Sequence, residues 1–191
     1  MSKLKIGVIV GSNSKDSINR KLAQALVKLV PEDADFEFLA IDQLPIYNRD
    51  DDANFPAVFA EFKSKVSAKD GILFVTPEHN RSVPALLKNA LDVGSRPFKQ
   101  GSWGGIPAAM IGTSGGGPST SMAQQHLRNI LGFLAMPTMT QPERYIQWKD
   151  GLVDADGNIG AASKDFLTGY MKSFMAWVQT NRKKSACLPK S

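Results

Sequence analysis

Three short apolar runs, residues 4–10, 71–76 and 107–112, each end at a segment rich in small, polar or proline residues. After each one the chain changes to a helical periodicity. Runs that are apolar at nearly every position suit strands buried on both faces, not strands with one wet face. Strands of that kind alternating with helices imply a parallel sheet covered on both sides, and right-handed crossovers leave few ways to connect it. The helical stretches are marked by Ile18, Leu22, Ala25, Leu26, Leu29 and Val30, stopped by Pro31, and by Phe55, Val58, Phe59, Phe62 and Val66 within 54–68. A third is opened by Pro84 and carries Leu86, Leu87, Ala90 and Leu91. A fourth spans 121–134, and a last one carries Phe166, Tyr170, Phe174, Trp177 and Val178. Two further strands are expected at 36–41 and 136–140, and the Gly- and Asp-rich stretch 150–160 reads as a loop or hairpin.

A chain of 191 residues supports one domain with a full core, expected over 1–181. Its formal charge is +5, but Arg182, Lys183, Lys184 and Lys190 supply +4 of that in a tail, 182–191, without an acid, which leaves +1 for the body. The tail reads as a solvated terminus. With no zinc-finger spacing and no basic stripe interleaved with aromatics, no nucleic-acid partner is expected. No run approaches the roughly 20 apolar residues of a membrane span. Met1-Ser2-Lys3 leads straight into the first strand, which reads as the absence of a secretory leader, and the single cysteine, Cys187, cannot close an internal disulfide. A cytoplasmic protein is expected.

In open parallel sheets, ligands bind beyond the carboxyl ends of the strands near the topological switch point. The loops after the first, third and fourth strands are therefore the candidates. The first, residues 11–20, offers Ser12, Ser14, Ser17 and Asn19 with small neighbours at the start of a helix. A helix N-terminus presents unpaired N–H groups and about half a positive charge, so this segment can cradle a phosphate; simple capping would need only one such residue. It is neither a Walker A loop nor a Gly-x-Gly-x-x-Gly fingerprint. The second loop, 76–84, is stiffened by Pro77 and Pro84. Glu78 and His79 invite an acid–base reading, while its Pro, Asn and Ser content favours an ordinary turn. The third, 112–120, contains Gly115, Gly116 and Gly117, which let a ligand come close, supply positive φ, or make a surface turn. The only cysteine lies in the tail and the two histidines have no metal-ligand spacing, so redox chemistry here would need a cofactor.

Gly11-Ser12, Ser17-x-Asn19-Arg20, Thr76-Pro77-Glu78-His79-Asn80, Leu87-Lys88-Asn89-Ala90-Leu91-Asp92 and Gln125-His126-Leu127-Arg128 together resemble the NADPH-dependent FMN reductase family. Within it they come closest to the bacterial quinone reductases also known as chromate reductases. The likeness runs from about residue 4 to about residue 145. It implies a flavodoxin-like, doubly wound α/β fold whose five-stranded parallel sheet has the order 2-1-3-4-5. It implies FMN, with its phosphate on Ser12, Ser14, Ser17, Ile18 and Asn19, and its ring against Pro77, Glu78, His79 and Asn80 on one side and Ser114, Gly115 and Gly116 on another. It implies reduction of quinones by NADPH or NADH, with chromate, azo and nitro compounds as other acceptors, in a homodimer or homotetramer; a two-electron ping-pong cycle is expected, and the absence of a separate dinucleotide fingerprint fits one slot shared by donor and acceptor. No catalytic side chain and no metal are assigned. Arg81 is the candidate for steering anionic partners, and Lys88, Asn89 and Asp92 are read as helix docking and loop support. His126 is read as structural, and Trp103 and Trp148 as candidates for an interface. Ser14, His79 and Val93 stand where relatives often have Arg, Tyr and Trp. A flavodoxin-type electron carrier and a non-catalytic FMN-binding sensor are the alternatives.

Overall fold

A computed structural model describes residues 3–182. The basic tail beyond Arg182, with Cys187, lies outside the described residues. Strands β1 (Leu4–Val10), β2 (Ala34–Phe38), β3 (Gly71–Val75), β4 (Ala108–Ser114) and β5 (Tyr145–Gln147) form one sheet in the order β2-β1-β3-β4-β5, with every pair parallel. This is the doubly wound flavodoxin-like arrangement. Helices α1 (Ile18–Val27) and α5 (Ala161–Asn181) cover one face, and α2 (Ala57–Ser67), α3 (Ala85–Gly94) and α4 (Ser121–Phe133) the other.

The central strands divide their side chains between two cores, as the strand period of two requires. Val8, Leu73, Val75, Ala109 and Ile111 meet Leu22 and Leu26 of α1 and Leu167, Tyr170 and Phe174 of α5. Ile9, Ile72, Phe74 and Met110 meet Phe59 and Phe62 of α2, Leu87 and Leu91 of α3, and Leu127 and Leu131 of α4. Tyr170 is fully buried and donates its hydroxyl to the Met110 carbonyl at 2.7 Å. Burial pushes its phenol far above the ordinary tyrosine range, so it stays a neutral donor.

Four details differ from the sequence expectations. The second strand lies two to three residues earlier, although the Leu39 N–H still reaches the Val8 carbonyl at 2.9 Å. A 3₁₀ turn, Arg49–Asn54, precedes α2, and Pro56 is the N-cap of that helix. Residues 136–140 do lie against β4, through a single bridge of Thr138 with Ala108, but Pro137 has no N–H to extend the ladder. The longer pairing falls to Tyr145–Gln147, against Gly112, Thr113 and Ser114. Trp103 lines no interface. It is 1% exposed, packs against Phe62 and Phe74, donates its indole N–H to the Leu91 carbonyl at 3.0 Å, and fills a slot that exists because residue 94 has no side chain. The stretch 150–160 forms a small hairpin closed by Val153 and Ile159.

Two features shape the carboxyl edge of the sheet. A Cβ on Gly112 would lie 2.0 Å from the Thr76 carbonyl oxygen, so only glycine lets β4 run this close to the end of β3. Beyond that point β3 departs through Pro77, which has no N–H, and Thr113, although paired to β5 on its other side, has no strand partner on the β3 side. The Asn19 side chain replaces it, donating to the Thr113 carbonyl at 2.9 Å and accepting the Thr113 N–H at 3.0 Å. Asn19→Ala leaves both buried backbone groups unpaired. It is expected to cost about 3 kcal/mol, or about 6–12 °C in Tm, checked by thermal unfolding. Gly112→Ala is expected to lower Tm by about 4–8 °C through the enforced shift of backbone.

Candidate functional site

The loops after β1, β3 and β4 lie together at this edge. Backbone bonds from the Gly11 N–H to the Val75 carbonyl (2.9 Å) and from the Thr76 N–H to the Ile111 carbonyl (3.0 Å) carry the sheet up to them. The first loop turns into α1 at Ser17, whose Oγ accepts the Arg20 N–H at 3.2 Å, while its own N–H goes to the Ser14 carbonyl. The Ser12 Oγ accepts the Ser14 N–H at 3.4 Å. The N–H groups of Ile18 and Asn19 find no acceptor among the described residues. Arg20 stands in the same first turn, half-buried, with one weak bond from Nη2 to the Ser12 carbonyl at 3.4 Å and no acidic partner among the described residues. A cation opposes the helix dipole there, and the turn has no acid to offset it. A bound phosphate would satisfy the N–H groups and the guanidinium together. From sequence, the side-chain amide of Asn19 is one of the polar groups offered to a phosphate. That side chain is committed to Thr113, so Asn19 has only its backbone N–H to offer a ligand. Arg20 was missing from the expected site because its lack of an acidic partner is a tertiary fact.

The second loop is a tight turn. His79 and Ser82 exchange backbone bonds of 3.0 and 2.9 Å around Asn80 (φ +49°) and Arg81 (φ +64°), the two left-handed central residues of a type I′ turn. Asn tolerates that conformation, whereas Arg adopts it at a cost of about 1 kcal/mol. The acid–base reading of Glu78 is not what its surroundings support. Its side chain is 9% exposed, and Oε2 accepts the N–H groups of Met122 (2.9 Å) and Ala123 (3.0 Å) in the first turn of α4. Oε1 lies 3.5 Å from Nη1 of Arg81, whose side chain is 70% exposed. His79 is exposed and is held by its backbone.

The third loop begins at Ser114, whose Oγ donates to the Ser119 carbonyl at 3.0 Å. The Gly115 carbonyl accepts from Gln147 Nε2 at 3.1 Å. The three following glycines are exposed, and none has positive φ. A Cβ on Gly115 or Gly117 would meet nothing within 4 Å, and on Gly116 only atoms 3.9 and 4.0 Å away. The chain itself gives no steric reason for glycine here, so what the run provides is a bare backbone open to something outside it.

The helix residues of the sequence pattern fall into supporting places. Asn89 accepts the Tyr47 N–H (2.9 Å) and donates to the Pro45 carbonyl (2.9 Å), pinning the loop after β2, while Lys88 and Asp92 pair on the surface at 2.7 Å. His126 is exposed, with Nδ1 2.9 Å from the Ser82 Oγ. Trp148 is half-buried and gives its backbone N–H to the Ser114 carbonyl at 2.8 Å.

A family model described as NADPH-dependent FMN reductase matches residues 4–151. A 2-hydroxy-1,4-benzoquinone reductase from Burkholderia sp. is 47% identical over 180 residues, covering 94% of this chain and 98% of that protein. A quinone reductase from Pseudomonas putida is 42% identical over 178 residues, covering 93% and 96%. Among solved structures, the flavoenzyme NAD(P)H:(acceptor) oxidoreductase FerB from Paracoccus denitrificans superposes with a TM-score of 0.91 at 39% identity, covering 94% of this chain and all of that one. With the family model spanning most of the chain and near full-length relatives at this identity, the protein belongs to the NADPH-dependent FMN reductase family.

Proposed function

We propose that this protein is an FMN-dependent NAD(P)H:quinone oxidoreductase. The observation that carries the reading is the first turn of α1, where two N–H groups without an acceptor and an Arg20 without an acidic partner among the described residues meet at the same sheet edge as an open run of glycines. The names of the relatives, quinone reductases at 42–47% identity over nearly their whole length, support quinones as the acceptor class.

In this reading Ser12, Ser14, Ser17, Ile18, Asn19 and Arg20 hold the FMN phosphate, Asn19 through its backbone. Pro77, Glu78, His79 and Asn80 border the ring on one side, and Ser114, Gly115 and Gly116 on the other. When bound, FMN supplies the two-electron redox chemistry that no side chain of this protein can. The protein contributes placement, exclusion of water and oriented backbone dipoles. Glu78 is engaged as a helix cap and His79 is exposed, so neither is assigned as an obligatory acid or base. The exposed guanidinium of Arg81 sits beside the ring loop and attracts the phosphates of NADPH or NADH. Donor and acceptor use one slot in turn, and chromate, azo and nitro compounds are acceptors of the same chemistry. A homodimer or homotetramer in the cytoplasm, with no nucleic-acid partner, completes the proposal. No helix among the described residues is long and apolar enough to cross a membrane.

The deciding test is an absorbance spectrum under argon. Flavin bands that bleach with NADPH and return with benzoquinone are expected. Protein that neither carries nor takes up FMN would refute the cofactor, and bands that NADPH cannot bleach would point to a carrier or sensor. Arg20→Ala is expected to weaken FMN binding roughly ten- to a hundredfold, as loss of a charge-assisted phosphate contact should, measured by quenching of FMN fluorescence. Arg81→Ala should raise KM for NADPH several-fold and leave FMN content unchanged; unaltered donor kinetics would remove its role.

A further inference from the structure

Helix α4 has no cap of its own. Thr120, its N-cap residue, caps no backbone N–H of the helix with its side chain, whose Oγ1 instead accepts from the Gln124 side chain at 2.9 Å, and the first turn contains no acid. The cap comes from elsewhere in the chain: Glu78, 44 residues earlier, accepts the Met122 and Ala123 N–H groups with one carboxylate oxygen. A nearly buried carboxylate on two helix N–H groups is a charge-assisted contact in a favourable dipole position. The same side chain keeps its other oxygen on Arg81, one of the two left-handed residues of the turn. A second strap runs in parallel, from the Ser82 Oγ to Nδ1 of His126 one turn along α4. The loop after β3 is therefore fastened to the helix that begins where the glycine-rich loop ends.

We infer that Glu78 is a positioning residue: it locks the loop after β3 to the start of α4 and so sets the spacing between the two loops that border the flavin. The inference rests on the FMN reading above for its functional consequence, though not for the latch itself. Both loops leave their strands at fixed points, but past Thr76 and Ser114 no strand pairs them to each other. Glu78 is the direct tie between the ring loop and the first turn of α4. A side chain of a type used in proton transfer acts instead through the backbone it holds.

The test uses Glu78→Ala, Glu78→Gln and, as a control that weakens α4 from the core side, Leu131→Ala. In FMN-free protein, amide exchange is read residue by residue against the β1 amides. Glu78→Ala is expected to speed exchange roughly tenfold at Met122 and Ala123, and together with them at His79 and Ser82. Glu78→Gln, which keeps a neutral acceptor, should fall between. Leu131→Ala should leave the His79 and Ser82 amides at their wild-type ratio to β1. On adding FMN, Glu78→Ala should raise the dissociation constant roughly tenfold or more above that control. Unchanged exchange at His79 and Ser82 in Glu78→Ala would overturn the latch. An FMN affinity equal to that of Leu131→Ala would overturn its effect on the site. Wild-type protein that takes up no FMN would instead refute the cofactor reading, while the exchange measurement still decides the latch.

Discussion

The site depends on one side chain bond pair, the Asn19 amide against the Thr113 backbone. A parallel sheet that opens at its carboxyl edge faces a physical problem: as neighbouring strands peel apart, their inward-facing backbone groups lose partners in a place water reaches poorly. Thr113 meets this problem where β3 leaves through Pro77. Asn19 answers it with one donor and one acceptor in the spacing a strand would have offered. Because Asn19 belongs to the first turn of α1, the bond also fixes the helix N-terminus against the central sheet. The position of the first turn of α1 and the integrity of β4 are thus one constraint.

The close pass of β4 over Thr76 belongs to the same design. Gly112 permits it, and Gly11 leaves β1 beside the same threonine, with a would-be Cβ 3.0 Å from the Thr76 hydroxyl. Two strand ends converge on Thr76 through glycines that put no side chain in the way, and the loops that follow begin from nearly a common point. What separates those loops afterwards is set by longer-range ties: Asn89 on the loop after β2, Glu78 on α4, and Gln147 on the glycine run.

The strand–helix alternation, the sheet order and the gathering of three loops at the carboxyl edge were legible because they are written in local pattern: all-apolar runs, helical periodicity, and clusters of Ser, Asn, Gly and Pro. The family likeness rested on the first two of those loops and on segments of α3 and α4. Trp103 was misplaced because a tryptophan near loops looks exposed until the matching gap at Gly94 is seen. The fifth strand was placed in the apolar stretch around Met136, whereas its longer pairing uses a half-polar tripeptide whose role depends on Ser114 being free to pair. Glu78 and Asn19 each carried the expected residue type in the expected place, yet their side chains serve partners 44 and 94 residues away. No local signal distinguishes a carboxylate that caps a distant helix from one that moves a proton. Arg20 stood in the family pattern without a site role for the converse reason, since what singles it out is the lack of an acidic partner among the described residues.

The broken fifth strand has a consequence for the protein's neighbours in solution. An exposed strand edge offers unpaired backbone groups to any passing chain and can seed intermolecular sheet growth. Here that edge is three residues long, and Pro137 and Pro142 interrupt the chain ahead of it. At the opposite edge, β2 is five residues long and carries Asp35 and Glu37, with Lys69 paired to Glu37 across it. Both rims are thus too short, too interrupted or too charged to recruit another strand. A sheet that gathers its loops at an open carboxyl end is closed along its sides to its own kind.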